Sequence, residues 1–430
     1  MNRVRVGIAG FGTVGKATAE IISAHADLIA QRSGVRLEVI AVCRRSGVRT
    51  EDIPAGARAV SDWKQLVAAS DIDVIVETMG GSGEARQLVL ATLKHGKPVV
   101  TANKNLVAAH GDELFALAAS QNLPIGFEAS VAGGIPILRV IHESTAGDRL
   151  RAVYGVLNGT SNYILTQMES RGIEFELALE EAQKAGYAEA DPTFDIDGLD
   201  ARDKLCILAR MAFSGRLKVS TIPTYGIRQV RAIDFHSANR LDSTIRLVGS
   251  AEKTQDGIEM SVRPWMVSRR SMLAKVEGVN NAVFLVGDKI GMQMFYGRGA
   301  GGDATGAAVV SDLIEIARDL IAGQMSAKQI SGFLDSHDLE LCVKPRPVSW
   351  YLRLTVKDQR GIVARVAEVI ARHDINIDSL EQEPHMPKDR VSFVITVEPV
   401  SEPTIRAAVD AINTFEFMVE PVLMLRVELP

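Results

Sequence analysis

The residues best equipped for chemistry lie between Ala182 and Lys204, in the run AQKAGYAEADPTFDIDGLDARDK, which carries six acids and ends in a helical pattern. Asp200 and Lys204 stand four apart on that helix, so they share a face and the carboxylate supports a protonated lysine. Leu208 and Met211 continue the row, and a lysine at the head of an apolar row is not an ordinary solvated cation. Two readings follow. An ammonium beside a carbonyl can donate a proton to the alkoxide that hydride transfer leaves, or stabilise its charge. Alternatively Lys204 lies along the surface in a structural ion pair with Asp200. The neighbouring carboxylates suit an amino-acid substrate, whose ammonium they would hold.

A second pattern supplies the hydride partner. Gly10-Phe11-Gly12-Thr13-Val14-Gly15 follows the apolar run Val4–Ala9 and opens a helical stretch reaching about Ala30. Glycine at these spacings allows a tight turn, a backbone approach to a pyrophosphate and close helix packing, and the helix N-terminus faces the phosphates. After the second apolar run, Leu37–Cys43, an acid would mark NAD. Arg44 and Arg45 stand there instead, and guanidiniums suit a 2′-phosphate, so NADP is favoured. The alternative is that both arginines are solvated loop charges and NAD is bound.

These residues need a scaffold. Apolar runs at Asp73–Glu77, Pro98–Thr101 and Leu123–Phe127 alternate with helical stretches, which indicates an α/β, doubly wound parallel sheet over residues 1–130. From 131 to 320 helices such as Phe175–Ala185 and Ala201–Ala212 mix with alternating strands such as Gly257–Val262, giving an α+β substrate or dimerisation domain that ends in helix Gly306–Leu320. Residues 321–349 read as a linker, with two prolines in Val343-Lys344-Pro345-Arg346-Pro347. Residues 350–430 follow a βαββαβ plan: strand Trp350–Val356, helix Ile362–His373, strands Ile375–Glu383 and Arg390–Val397, helix Ser401–Thr414, and strand Pro421–Glu428.

The segment 182–204 resembles the signature of the homoserine dehydrogenase family. Ala182, Gly186, Tyr187, Ala188, Asp191, Pro192, Asp195, Ile196, Gly198, Asp200 and Lys204 all fit it. The resemblance implies NAD(P)H-dependent interconversion of L-aspartate 4-semialdehyde and L-homoserine, in threonine, methionine and isoleucine biosynthesis. It makes Lys204 the acid/base residue, places Glu189, Asp195 and Asp200 around the substrate, and puts Gly186 near the cofactor. Thr101-Ala102-Asn103-Lys104 follows a strand at the sheet end where ligands bind. The family's equivalent of Lys104 contacts substrate and cofactor and shares in the proton transfer; the alternative is a surface lysine. Glu77-Thr78-Met79-Gly80-Gly81 is similar to a loop bordering the nicotinamide, and Asn158–Asn162 also matches. Phe295–Gly302, including Gly301, is a second glycine-rich approach to the cofactor. Residues 126–136 resemble a structural sodium site, with oxygens from Glu128, Val131, Gly133 and Ile135; a plain glycine-rich loop fits equally. The tail resembles an ACT regulatory domain, with Gly361 at a strand-to-helix turn, and implies an amino-acid effector, usually threonine. The alternative is a ligand-free dimerisation module. A homodimer or homotetramer is expected.

Composition excludes other classes. The 430 residues carry a net charge of −5 and are 47% hydrophobic and 23% charged, so no basic patch for nucleic acid and no bulk disorder are expected. No run approaches a membrane span, no secretory pattern opens the chain, and Cys43, Cys206 and Cys342 are too scattered for disulfides or zinc, which suits the cytoplasm. A phosphorylating semialdehyde dehydrogenase would need a cysteine nucleophile with a base, which the sequence does not offer. A non-catalytic amino-acid or redox sensor would use the nucleotide fold and the tail but has no need of Lys204.

Overall fold

Strands that are apolar along their whole length can be stable only when both faces are covered, and the first unit is built that way. The computed structural model describes residues 3–326, 333–334, 337–342, 345–382 and 387–428. The elements β1 (Arg3–Ala9), α1 (Thr13–Ala24), α2 (Ala26–Ser33), β2 (Arg36–Cys43), β3 (Arg58–Val60), α3 (Trp63–Ala68), β4 (Val74–Glu77), α4 (Gly83–Lys94), β5 (Val99–Thr101), α5 (Lys104–Ser120) and β6 (Ile125–Gly126) follow in order. They form a six-stranded parallel sheet of order β3-β2-β1-β4-β5-β6. The strand order reverses between β1 and β4, so their carboxyl ends diverge into the crevice where such sheets bind ligands. The helical stretch expected to reach Ala30 is broken at His25 into two helices.

A short turn α6 (Ile137–Arg139) leads to the second unit, which holds β7 (Leu150–Val156), α7 (Gly159–Arg171), α8 (Phe175–Lys184), α9 (Thr193–Ile196), α10 (Leu199–Phe213), α11 (Ala232–Arg240), β8 (Ser243–Thr254), β9 (Gly257–Ser268), β10 (Asn280–Gly287) and β11 (Gly291–Arg298). α10 carries Leu205, Cys206, Ile207, Leu208 and Ala209 fully buried. Five consecutive buried residues cover every face of the helix, so α10 must run through a core, and it lies between α5 of the first unit and strands β7 and β8. Helix α12 (Gly302–Ala322) differs from the sequence reading. It was expected to close the second unit, yet Val309, Val310, Leu313 and Ile316 share one core with Val4, Val6 and Ile8 of β1. It returns because Gly302 lets it approach closely: a Cβ there would lie 3.2 Å from Thr13 and 3.3 Å from Ala17.

The C-terminal module comprises β12 (Val348–Val356), α13 (Ile362–Arg372), β13 (Ile377–Gln382), β14 (Val391–Val400), α14 (Glu402–Asn413) and β15 (Leu423–Glu428). This is the expected βαββαβ order. α13 buries Ile362, Val366 and Ile370, and α14 buries Ile405, Val409 and Ile412, on one shared core. Of the expected linker, residues 327–332, 335–336 and 343–344, and of the expected C-terminal module, residues 383–386 and 429–430, lie outside the described residues. The module is not tethered loosely. β15 pairs in parallel with β9 through Arg426–Trp265, Val427–Met266 and Glu428–Val267, so both units share one nine-stranded sheet, β11-β10-β7-β8-β9-β15-β12-β14-β13. Across the same seam the buried Asp234 accepts from the Tyr351 hydroxyl at 2.7 Å and the Arg353 guanidinium at 2.6 Å. The expected linker also lies against β9: Ile258 N–H donates to Glu340 O and Cys342 N–H to Ile258 O. Among the described residues no helix is long and apolar enough to cross a membrane.

Candidate active site

The glycine turn is held from two sides. Gly10 and Phe11 N–H groups donate to Cys43 O at the end of β2, each at 3.0 Å, and the Thr78 hydroxyl donates to Gly10 O at 2.7 Å. Gly10 has φ +97°, and a Cβ there would lie 2.4 Å from the Thr78 backbone, so only glycine fits. Gly12 is different. It caps α1 without a side-chain partner, and a Cβ there would meet nothing within 4 Å. That open space at a helix N-terminus is what a pyrophosphate fills. Thr13, Val14 and Gly15 form the first turn of α1, and Gly301 caps α12 beside it.

The turn opens on a cleft of about 670 Å³ whose lining includes Arg44, Arg45, Ser46, Ser61, Lys64 and Thr78. Arg45 is paired with Glu84, while Arg44 carries no recorded side-chain partner among the described residues. Of the two acids of this lining, Glu84 holds Arg45, and Asp62 accepts the Lys64 N–H through Oδ1, capping α3. Ser61 and Lys64 are cleft residues that the sequence reading missed, since they follow β3 rather than β2. Gly186 turns the chain after α8 at φ +75°, exposed and outside the lining of this cleft.

The lysine cluster forms at the joint between the units. Asn103 caps α5 by accepting from Leu106 N–H at 3.1 Å, which fixes Lys104 as the first helical residue. Lys104 Nζ then reaches Asp200 Oδ1 at 2.9 Å. Lys204, one turn along α10 from Asp200, reaches Asp200 Oδ2 at 2.7 Å and donates to Leu157 O at 2.8 Å. Lys204 is only 7% exposed, so its ion pair with Asp200 is buried rather than lying along the surface. Asn158 completes the arrangement. Its Oδ1 accepts from Ser161 N–H and caps α7, leaving Nδ2 to donate to Asp195 Oδ1 at 2.7 Å and Asp200 Oδ2 at 2.8 Å.

The electrostatics follow from this geometry. Burial alone would raise the Asp200 carboxyl, but Lys204 and Lys104 overcome it and hold the group below its ordinary range. Burial lowers the Lys104 ammonium, and Asp200, aided by Asp195 and Asp203, more than offsets this and raises it. Burial and then the Asp200 charge raise Asp195. The centre is thus two ammoniums on one ionised carboxylate, with a second, more easily protonated carboxylate beside it. Glu189 is exposed on the loop before α9 and outside this network. Thr101 sits behind it, donating to Glu77 Oε2 at 2.6 Å and accepting from Asn103 N–H.

The 128–135 loop is engaged differently from a side-chain metal site. Both Glu128 carboxylate oxygens accept backbone N–H groups, from Leu138 and Arg139 at 2.8 Å each, and Glu128 N–H donates to Asp312. Burial pushes Glu128 up to about 7 despite those donors. Among the described residues no three His, Cys, Asp or Glu side chains converge on a metal position.

A doubly wound sheet with an open glycine turn, and a buried lysine-carboxylate centre at its joint with a second unit, defines a nicotinamide-dependent dehydrogenase class. Comparison with known proteins narrows it. Residues 10–128 match the homoserine dehydrogenase NAD-binding domain, 136–314 the homoserine dehydrogenase domain, and 350–417 the ACT domain. The chain is 38% identical to the homoserine dehydrogenase of Neisseria gonorrhoeae over 431 residues, covering 100% of this chain and 99% of that one. It is 38% identical to that of Pseudomonas aeruginosa over 434 residues, with the same coverage. The crystal structure of a homoserine dehydrogenase from Thiobacillus denitrificans superposes with TM-score 0.90 at 35% identity, covering 100% and 99% of the two chains. A hyperthermophilic archaeal homoserine dehydrogenase in complex with NADPH superposes with TM-score 0.61 at 32% identity, covering 73% of this chain and 97% of that one. This chain belongs to the homoserine dehydrogenase family, and it is an enzyme with an NAD(P)-binding domain and an ACT domain.

Proposed function

We propose that the chain interconverts L-aspartate 4-semialdehyde and L-homoserine, with Lys204 and Lys104 handling the proton at the substrate oxygen. The observation that carries this reading is the sharing of one buried carboxylate, Asp200, by both ammoniums. Asp200 fixes the positions of both lysines and favours the charged form of Lys104. Lys204 has two of its three N–H bonds committed, to Asp200 and Leu157 O, which leaves one to stabilise an alkoxide or donate to it. Lys104 is the more exposed of the pair. Asp195, with Asn158 holding one oxygen, and Glu189 at the loop would take the substrate ammonium.

A reduced nicotinamide, when bound, supplies the hydride. Gly10 to Gly15 would hold its pyrophosphate, with Gly301 beside them and Thr78 and Thr101 bordering the ring; Gly186 would approach from the α8 turn. Arg44, Arg45, Ser46, Ser61 and Lys64 offer cationic and hydroxyl donors for a 2′-phosphate, and Asp62 is already engaged, so NADP is favoured over NAD. A structural sodium ion in the 128–135 loop would rely on backbone carbonyls of Glu128, Val131, Gly133 and Ile135, because the Glu128 carboxylate is occupied. An amino-acid effector, threonine first, would place its carboxylate at Gly361, which caps α13 with φ +86°. The exposed edge strand β11, with Met292 and Tyr296 open, supports a dimer or tetramer. Three unpaired cysteines suit the reducing cytoplasm.

The decisive experiment is homoserine oxidation followed at the nicotinamide absorbance, with NAD and NADP, for wild type and Lys204→Ala. The expected result is turnover with homoserine, preference for NADP, and a loss of about 10²–10⁴ in kcat in the variant with cofactor binding retained. Unchanged turnover removes Lys204 from the mechanism. The sensor reading has no observation in its favour.

A further inference from the structure

A second cavity, of about 330 Å³, lies where three parts of the chain meet, away from the residues used above. Its floor is β9 from Ile258 to Arg263, one wall is the loop at Pro223 and Tyr225, and the facing wall is β12, the start of α14 and β15. Four guanidiniums line it, those of Arg263, Arg346, Arg406 and Arg426, against two carboxylates, Glu259 and Glu402. Arg263 is buried between the rings of Tyr225 and Trp350, at 4.6 and 5.6 Å, and reaches Glu402 at 2.8 Å. Arg406 shares that same Glu402 at 2.6 Å. Arg426 lies 4.3 Å over Trp265 and reaches Glu259 at 3.0 Å. Just outside the cavity, Glu252 holds Arg346 at 3.0 Å.

The four cations outnumber the two carboxylates of the lining, with Glu252 and Glu428 close by. Burial lowers the Arg426 guanidinium; Glu259 opposes this, and Arg346 and Arg263 push the same way as burial. Like charges gathered in a partly desolvated space repel unless counter-charge joins them. The remaining wall is apolar, including Ile258, Leu341, Val348 and Pro403. Its volume falls within the range of small-molecule sites.

We propose that this cavity binds a small organic anion bearing two or more carboxylates, clamped between the catalytic unit and the C-terminal module. The arginine forks match carboxylates in bidentate geometry, and the carbon skeleton packs on the apolar wall. The site is separate from the Gly361 turn.

The same wall touches the substrate centre. Tyr225 N–H donates to Val262 O at 2.8 Å, and Ile227 N–H donates to Ile196 O at 2.8 Å. Between them Gly226 has no spare room: a Cβ there would lie 2.3 Å from Ile196 O and 2.6 Å from Asp197 Cα. The loop that forms the cavity wall therefore braces α9, which carries Asp195, and the turn leading to Asp200. An occupant that fixes Tyr225 acts on how firmly the substrate is held, so it changes KM for homoserine more than kcat.

The test uses the full chain with saturating NADP and homoserine already brought to reaction equilibrium, so that both active-site pockets are filled and no reaction heat remains. Succinate and citrate are titrated calorimetrically at constant ionic strength, with uncharged succinamide as control, for wild type and for Arg346→Gln/Arg406→Gln. These two arginines are the more exposed of the four, and neither belongs to the catalytic centre. The expected result is one site per chain with Kd of about 1 mM or tighter for at least one anion, weakened about tenfold or more in the variant, with no heat from succinamide. A matching change in KM for homoserine on adding the anion should vanish in the variant, whose basal turnover stays at wild-type level. No binding of either anion up to about 10 mM, or binding that the variant leaves unchanged, overturns the proposal and leaves the arginines as cement between the two units.

Discussion

Because Lys104 and Lys204 share Asp200, their removal should be strongly non-additive. Lys204→Met keeps the apolar stem and deletes the ammonium, yet Asp200 retains Lys104 at 2.9 Å. Lys104→Met leaves Lys204 at 2.7 Å. Each single change removes one charge-assisted hydrogen bond from a carboxylate that keeps a counter-ion, costing about 1–2 kcal/mol. The double change strips a side chain that is only 5% exposed of both cations. A buried charge stripped of both counter-ions costs about 3–5 kcal/mol, so the double variant should lose about 1 kcal/mol more than the sum of the two single losses. Adding Asp200→Asn to the double variant removes the stranded charge and should recover most of that loss. Urea unfolding of wild type and the four variants, in the same buffer and at the same protein concentration, measures each step. Additive losses with no recovery on Asp200→Asn would refute the shared-carboxylate arrangement.

Three further outcomes follow from the geometry. Gly12→Ala should leave the melting temperature unchanged but abolish most NADP binding, because its methyl meets only the space a pyrophosphate needs; Gly10→Ala, driven into the Thr78 backbone, should instead destabilise the fold by about 2 kcal/mol or more, and calorimetry with thermal melts separates the two. Burial pushes the Cys43 thiol up to about 11 and Cys206 to about 12, so iodoacetamide at neutral pH should label the half-buried Cys342 first and leave the other two, read by peptide mass mapping; rapid labelling of Cys43 would contradict this. Arg353→Met leaves Asp234 buried without its guanidinium and should cost about 3–5 kcal/mol, with kcat at temperatures below melting unchanged.

The chemistry of the site was legible because it is local. The i,i+4 spacing of Asp200 and Lys204 appears as a 2.7 Å contact, and the glycine turn stands where its flanking strand and helix put it. What escaped reading joins distant segments. Asn158 looked only like a polar residue near the substrate; its capping role at α7 was signalled by the Asn-Gly-Thr-Ser start, but its second task, bridging Asp195 and Asp200, spans about forty residues and leaves no periodic trace. Ser61 and Lys64 enter the cofactor cleft only because β3 lies beside β2 in the sheet. Helix α12 has an ordinary amphipathic pattern, which says that one face is buried but not against which unit, so its return to α1 had to come from tertiary packing.

The parallel pairing of β15 with β9 sets a limit on how this chain can be cut. Residues Trp265 to Val267 have their outward backbone groups satisfied by the last strand of the tail. Severing the chain before Val348 would strip that partner away and bare a long, apolar strand, buried through Trp265, Met266 and Val267, as a template for adhesion between molecules. The ACT module is therefore also a structural stave of the unit before it, and deleting it tests solubility first.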